Sequence, residues 1–223
     1  MHKKWKPITA TIVSLGFAVT GVVCAAGPSV AESAESTAMG HATAKTVTVD
    51  YNCRSRYEGE WFPVTYTKDF TTSAPATVRK GQMYNVTFDP SPIKALPEFN
   101  KMLTDLTVAY KVPKEARVLG YRLTGGSNLG DARVRVQRTG NEFTITSDGK
   151  FRGGTEFDLP NLVVKLQASA PRGTRLTTGA GGSSFERPQF GWLRQHPENS
   201  QWDPFQCYEK PEAPQTFSTT TVR

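Results

Sequence analysis

The stretch Thr46-Val47-Thr48-Val49-Asp50-Tyr51 alternates polar and apolar side chains one by one. Successive side chains of a β-strand point to opposite faces, so the two valines and Tyr51 share one face, which Cys53 continues. A period of two over this length predicts a strand with one buried face. This pattern, more than any motif, decides the expected fold class.

The same alternation recurs across the middle of the chain. Further predicted strands are Phe62–Tyr66, Tyr84–Phe88, Leu106–Tyr110, Val118–Leu123, Ala132–Gln137, Glu142–Thr146 and Leu162–Ala168. Gly- and Pro-bearing turns separate them, and Thr139-Gly140-Asn141 joins two alternating runs at hairpin spacing. The pattern predicts an all-β fold, a single antiparallel β-sandwich that is immunoglobulin-like in general architecture, with a barrel as the alternative.

Two segments depart from this alternation. Phe99, Met102 and Leu103 recur at helical spacing, which predicts a short helix over Pro97–Leu103. Residues 179–206 are Gly-rich at first and then carry scattered aromatic side chains. We expect this second segment to wrap over the sandwich and to be held in place by Cys207.

The first 31 residues have the layout of a cleavable signal peptide. Lys3, Lys4 and Lys6 precede an apolar run over residues 8–26, and Ser29-Val30-Ala31 forms a small-residue exit. We therefore predict cleavage after Ala31 and a secreted protein, without a transmembrane segment after cleavage. A retained membrane anchor is the alternative, because about 19 apolar residues can just span a bilayer.

The rest of the chain divides by composition. Residues 32–45 are mostly Ala, Ser, Glu and Thr, which predicts a flexible leader, and residues 209–223 are rich in Pro and Thr, which predicts a flexible tail. Residues 46–208 then form the β-sandwich domain, a length that supports its own hydrophobic core.

The charge of the exported part is mild. Cleavage removes three of the 27 basic residues and none of the 20 acidic ones, so the formal net charge falls from +7 to +4. This bias toward anionic partners is too diffuse for the basic stripe of a nucleic-acid-binding protein. We therefore expect no nucleic-acid partner.

The cysteines predict one disulfide. Cys24 leaves with the signal peptide, and Cys53 and Cys207 remain as an even pair in an oxidising compartment. Their bond would close a loop of about 155 residues, for which the chain-entropy model gives roughly 5 kcal/mol. Two buried free thiols are the alternative.

Sequence motifs for catalysis are missing. The chain has no Gly-x-Ser-x-Gly, His-Glu-x-x-His, Cys-x-x-Cys or Gly-x-x-x-x-Gly-Lys motif, and only His41 and His196 follow the predicted cleavage site. We predict no catalytic residue, no metal and no cofactor. Carboxylate chemistry stays open as an alternative, because it needs only two acids, and Glu58 with Glu60 or Glu156 with Asp158 are the nearest pairs.

Two groups of side chains are candidates for ligand binding. Trp61, Trp192 and Trp202 could offer flat rings to a sugar, although core packing explains such rings equally well. Arg133 and Arg135 alternate with valines, which places their charges on an outer sheet face where an anionic polymer could bind. The alternative is a solvated face that discourages edge pairing.

Several turn and strand features resemble small exported β-sandwich proteins of high-GC Gram-positive bacteria, the actinobacteria. The features are Val49–Cys53, Phe88-Asp89-Pro90-Ser91-Pro92, Val112-Pro113, Leu159-Pro160 and the late Cys207. The resemblance implies a sandwich and export. Some of those proteins carry the labels cyclase or dehydratase, but the resemblance supplies no catalytic residue to this chain.

These observations favour a secreted, non-enzymatic domain that binds a cell-envelope or extracellular component. The expected partner is a cell-wall polymer, a lipid or a surface protein. A carboxylate-dependent hydrolase or lyase and a structural surface protein are the alternatives.

Overall fold

The computed structural model describes residues 41–223, and these residues are all-β, without a helix. The strands are β1 (Ala42–Tyr57), β2 (Glu60–Pro75), β3 (Thr77–Val78), β4 (Met83–Asp89), β5 (Met102–Lys111), β6 (Ala116–Thr124), β7 (Val134–Thr139), β8 (Glu142–Ser147), β9 (Phe151–Arg152), β10 (Asn161–Ala168), β11 (Arg175–Ala180), β12 (Phe190–Gln195), β13 (Trp202–Glu209) and β14 (Thr216–Val222). The β-sandwich expected from the alternation is confirmed. The predicted signal peptide lies outside the described residues.

One continuous sheet folds into the layers of the sandwich. Its order is β3-β14-β11-β5-β12-β13-β1-β2-β4-β10-β6, with β8 and β9 on the other edge of β5 and β7 beside β8. All pairings are antiparallel except that of β14 with β3. Strands β12 and β13 connect the β5 side of the sheet to the β1–β2 side.

The β1–β2 hairpin is the longest element of the fold. Its register runs from Ala42 opposite Pro75 to Tyr57 opposite Glu60. Glu58 and Gly59 both have positive φ, 49° and 87°, which gives the two-residue turn whose twist suits a hairpin. Gly59 accepts that conformation without strain because it has no Cβ.

Aromatic side chains join the layers across the interior. Phe70 of β2 stacks on Phe217 of β14 at 5.3 Å between ring centroids, and Phe88 of β4 stacks on Tyr110 of β5 at 4.6 Å. All four rings are fully buried, so they form the centre of the core. The period-two positions of each strand supply them, as the alternation predicted.

The disulfide is present between Cys53 and Cys207. The two residues stand directly opposite each other on β1 and β13, which are 154 residues apart in sequence. The predicted pairing is therefore confirmed, and it ties the first strand to the C-terminal part of the sheet.

Two local predictions are corrected by the structure. Residues 179–206 do not wrap over the sandwich, because β12 and β13 lie inside the sheet between β5 and β1. Residues 97–103 form turns followed by the start of β5 instead of a helix. Their apolar residues are held by tertiary contacts with the sheet, which override the helical spacing.

The predicted leader and tail are also partly built into the sheet. Residues 42–45 belong to β1 and pair with β2. Residues 216–222 form β14, which pairs with β11 and β3 and buries Phe217 completely. Phe217 and Val222 are buried, and Thr220 is buried as well with its hydroxyl donating to Pro75 O at 2.8 Å, so the segment gains enough buried area to be ordered.

Candidate ligand pocket

A pocket of about 400 Å³ opens between the inner face of the sheet and residues 93–101, here called the cover loop. It is lined by Ser55, Phe62, Val64, Thr65, Tyr66, Lys94, Ala95, Leu96, Phe99, Asn100, Trp192, Arg194 and Phe205. The volume falls within the usual range of small-ligand sites, which are concave and mostly apolar.

The floor of the pocket is the end of the aromatic core. Trp192 lies 4.4 Å from Phe205 and 6.3 Å from Tyr66, measured between ring centroids, and Tyr66 stacks on Phe190 at 5.6 Å. Burial raises the pKa of the Tyr66 hydroxyl to about 12. The floor is therefore neutral and aromatic at physiological pH.

The cover loop is held at both of its ends. Ile93 and Phe157 exchange backbone hydrogen bonds of 2.8 and 3.1 Å, and Lys101 N donates to Gln195 O at 2.8 Å. A Cβ added at Gly153 would overlap the carbonyl oxygen of Asn100, so the loop rests on the backbone beside β9. These contacts form the wall of the pocket in advance of any ligand.

Two polar side chains of the lining, those of Asn100 and Arg194, already form hydrogen bonds within the protein. Asn100 donates its amide to Leu96 O at 2.9 Å and accepts from the Trp192 indole at 3.2 Å. Arg194 donates to Phe99 O at 2.8 Å and to Arg56 O at 3.1 Å. The residue thereby connects the cover loop to the tip of the β1–β2 hairpin.

Arg194 stands opposite Asp203 on the neighbouring strand, and both side chains are buried. Burial lowers the pKa of Arg194, and the charge of Asp203 acts in the opposite direction. Within the described residues, Arg194 Nε and Asp203 Oδ2 are buried without a hydrogen-bond partner. Arg194 therefore braces the site through its bonds to two backbone carbonyls, and it does not present a free guanidinium to a ligand.

The mouth of the pocket is apolar and exposed. Phe62, Leu96 and Phe99 have 49%, 55% and 44% of their surface accessible. Large apolar side chains grouped at one opening commonly mark a binding site. Lys94, which is also exposed, is the cation of the lining nearest to solvent.

The structure separates the three tryptophans predicted as a sugar platform. Trp192 is buried in the pocket floor, whereas Trp61 and Trp202 are exposed. Trp61 covers the Arg54 guanidinium at 4.0 Å, and Phe185 covers the same group at 4.3 Å. The Trp61 ring is thus part of a stack on the outer face, while the pocket uses the inner face.

Arg133 and Arg135 lie beside and on β7, which β8 and β5 separate from the pocket strand β12, and neither lines the pocket. Arg133 Nε contacts Asp148 Oδ2 at 3.1 Å, and its backbone N–H bonds to the same carboxylate at 2.9 Å. That backbone bond is the main reason why the pKa of Asp148 is lowered. Arg133 is therefore paired, and Arg135 stays exposed.

Among the acids of the hydrolase alternative, Asp158 has the most perturbed environment. Burial and the charge of Asp89 raise its pKa, and Lys68 opposes them. Lys68 itself is 6% exposed, and burial lowers its pKa to about 8. Its ammonium donates to Ser91 O at 2.9 Å. This buried cluster is not part of the pocket lining.

Two other properties concern metals and membranes. Within residues 41–223, no group of three or more His, Cys, Asp or Glu side chains is arranged to hold a metal ion. A helix with the length and apolar character needed to cross a bilayer is likewise not found in that part of the chain.

Comparisons with known proteins identify solved structures but no family. Neither the protein-family models nor the curated proteins give a match. A membrane anchored protein from Corynebacterium diphtheriae is similar over 80% of this chain, with 16% identity and a TM-score of 0.43. This chain spans 38% of that protein.

Cohesins are also similar in structure. The sixth cohesin of scaffoldin B from Acetivibrio cellulolyticus matches 66% of this chain and 94% of its own length, with 9% identity and a TM-score of 0.32. A non-cellulosomal cohesin from Archaeoglobus fulgidus matches 48% of this chain and 75% of its own, with 15% identity and a TM-score of 0.27. No functional conclusion follows from likenesses this distant.

Sequence reasoning identified only Trp192 among the pocket residues. The period-two run from Phe62 to Tyr66 marked one wall as the face of a strand, but nothing in it distinguishes a covered face from an open one. The helix predicted over Pro97–Leu103 overlaps only the second half of the cover loop, so Phe99 was assigned to a helix and the preceding Leu96 was not singled out. The feature that could have indicated them is a pair of large apolar side chains, set among prolines and charged residues, that belongs to no predicted strand.

Proposed function

We propose that this chain is an extracellular or cell-surface binding domain, and that its pocket holds the apolar part of an envelope lipid. The observation that carries the proposal is the aromatic pocket with its exposed mouth of Phe62, Leu96 and Phe99. The disulfide supports an oxidising compartment, because such bonds persist mainly in exported proteins.

The chemistry of the lining favours a lipid over a cell-wall polymer. A sugar needs free hydrogen-bond donors and acceptors. Asn100 and Arg194 instead form hydrogen bonds with the cover loop, the hairpin and Trp192. An acyl chain needs none, and each buried methylene contributes about 0.8 kcal/mol. Lys94 at the rim suits an anionic or zwitterionic head group that stays in water.

The test is displacement of a fluorescent naphthylamine probe from the full, oxidised chain by a long-chain fatty acid. Leu96→Asp places a charge at the mouth, and Met83→Asp is the matched control, because Met83 has a similar exposure of 53% but lies outside the lining. Since burying a leucine-sized group contributes about 1.5–3 kcal/mol, we expect Leu96→Asp to weaken binding about tenfold or more. Met83→Asp should bind like the unchanged chain.

Co-sedimentation distinguishes the other partners. Retention on lipid vesicles in high salt, lost with Leu96→Asp, supports the proposal, because charge attraction alone is screened by salt. Retention on isolated cell walls without displacement of the probe would contradict it and favour a polymer ligand. Loss of binding in both aspartate variants alike would show that the pocket is not the site.

A further inference from the structure

Strands β6 and β7 are both edges of the sheet, and a ring of β6 contacts a ring of β8, the neighbour of β7. Among the described strands, β6 pairs only with β10 and β7 only with β8. Their outer backbone groups are therefore not used by the ladders of this domain. An unpaired edge is a template on which another strand can add.

The interior-facing side chains of both edges are incompletely covered. On β6, Tyr121 and Leu123 stand opposite the fully buried Val164 and Leu162, and on β7, Val136 stands opposite Ile145. Leu123 and Val136 are only partly buried, and Tyr121 is 46% exposed. The alternation of β6 thus directs apolar side chains toward a part of the core that no further strand of residues 41–223 covers.

A shared ring locates the gap between the edges. Tyr121 of β6 meets Phe143 of β8 edge-to-face at 5.2 Å, and the Arg138 guanidinium of β7 lies 5.8 Å from the same ring. A side chain from each edge strand therefore approaches the Phe143 ring. We call this region, formed by β6, β7 and Phe143, the open seam.

The charge of the seam has one sign. Residues 116–124 and 134–139 contain Arg117, Arg122, Arg135 and Arg138 and no acidic residue. Arg117 and Arg122 are exposed and lie on the outer face of β6, opposite Gln167 and Val163. An extended segment beside β6 would meet these two cations on one face and Tyr121 with Leu123 on the other.

We propose that an extended strand of a partner protein, alternating apolar and acidic side chains, adds to the open edge of β6. Its backbone pairs with β6, its apolar side chains complete the interior beside Tyr121 and Leu123, and its carboxylates face Arg117 and Arg122. Backbone pairing supplies affinity and alternate side chains supply selectivity in this mode of recognition. The site is separate from the ligand pocket.

The experiment uses the full, oxidised chain and a capped peptide of about eight residues that alternates valine and glutamate, followed by fluorescence anisotropy. We expect saturable binding, which Arg117→Glu/Arg122→Glu weakens about tenfold or more because opposite charges become like charges. Lys80→Glu/Arg175→Glu is the matched control, since it reverses two exposed charges elsewhere and should leave binding unchanged.

Two further measurements distinguish strand addition from charge attraction. The same peptide methylated on alternate backbone nitrogens should not bind, and hydrogen exchange should slow at the amides of β6 when the unmethylated peptide binds. Equal binding of the methylated peptide, protection confined to β7, or no binding of the valine–glutamate peptide would each overturn the proposal. In the last case the arginines serve only to keep edges apart.

Discussion

Strands β1 and β7 share one sequence pattern but differ in surroundings. Val47 and Val49 alternate with polar residues on β1, and Val134 and Val136 do the same on β7. The β1 valines are 8% and 0% exposed, whereas both β7 valines are only partly buried. The difference arises because β1 has neighbours on both edges, β13 and β2, and β7 has one.

This comparison distinguishes a region that stabilises the fold from regions proposed to bind ligands. The disulfide-tied centre around β1 holds the fold together, because its strands pair on both sides and its side chains are buried. Binding is proposed where apolar side chains are only partly covered by the fold, at the mouth of the pocket and along the open seam. The four predictions below test how strong that contrast is.

The largest expected effect comes from the centre. Cys53→Ala/Cys207→Ala should lower the free energy of unfolding by about 5 kcal/mol, because it frees a loop of 154 residues in the unfolded chain. Denaturant unfolding of the variant and of the unchanged chain measures the loss. Reduction of the unchanged chain is the control and should give the same curve, and a loss below about 1 kcal/mol would refute a stabilising role for the bond.

The C-terminal strand should behave as part of this centre. Phe217→Ala removes a fully buried ring that stacks on Phe70, and we expect it to cost about 4 kcal/mol. Thr216→Ala, at the exposed neighbouring position, is the control and should change stability little. Unfolding curves of both variants check this, and equal small losses would mean that the tail contributes nothing to the core.

Lys68 should give the centre a stability that depends on pH. Burial lowers its pKa in the folded chain from 10.5 to about 8, so between these values the unfolded chain binds more protons and stability rises with pH. This difference between the two pKa values corresponds to a gain of about 3 kcal/mol in the free energy of unfolding, complete once the lysine is neutral in both the folded and the unfolded chain. The rise should be followed from about pH 7.5 to 9.5, before the tyrosines with raised pKa oppose it.

Matched variants isolate the lysine. Lys68→Met should remove the rise in stability over that range, whereas Lys165→Met, at an exposed position of β10, should keep it. An unchanged slope in Lys68→Met would show that the amine is not the group responsible.

The smallest expected effect compares the two valine patterns directly. Val49→Ala should cost about 2–3 kcal/mol and Val136→Ala about 1 kcal/mol or less, because the transfer free energy scales with the apolar area that is buried. Denaturant unfolding measures both. Equal costs would contradict the contrast.

Much of the fold could be predicted from local patterns. Alternation located β1, β2, β4, β5, β6, β7, β8 and β10, and the short Gly140-Asn141 spacing located the β7–β8 hairpin. The even pair of Cys53 and Cys207 predicted the disulfide. These features depend on the pleat and on turn geometry, which act over a few residues and are therefore visible in the sequence.

Tertiary structure alone decided the pocket and the seam. Whether the apolar face of Phe62 or of Tyr121 is covered depends on which distant strand lies beside it, and sheet order is not encoded in a period of two. The same holds for β12, β13 and β14, whose scattered aromatic and threonine residues become strands only because the sheet offers them partners. The sequence by itself determined the strands and their inner faces, and long-range pairing decided which of those faces remain open, because burial is a property of the neighbours that a strand finds.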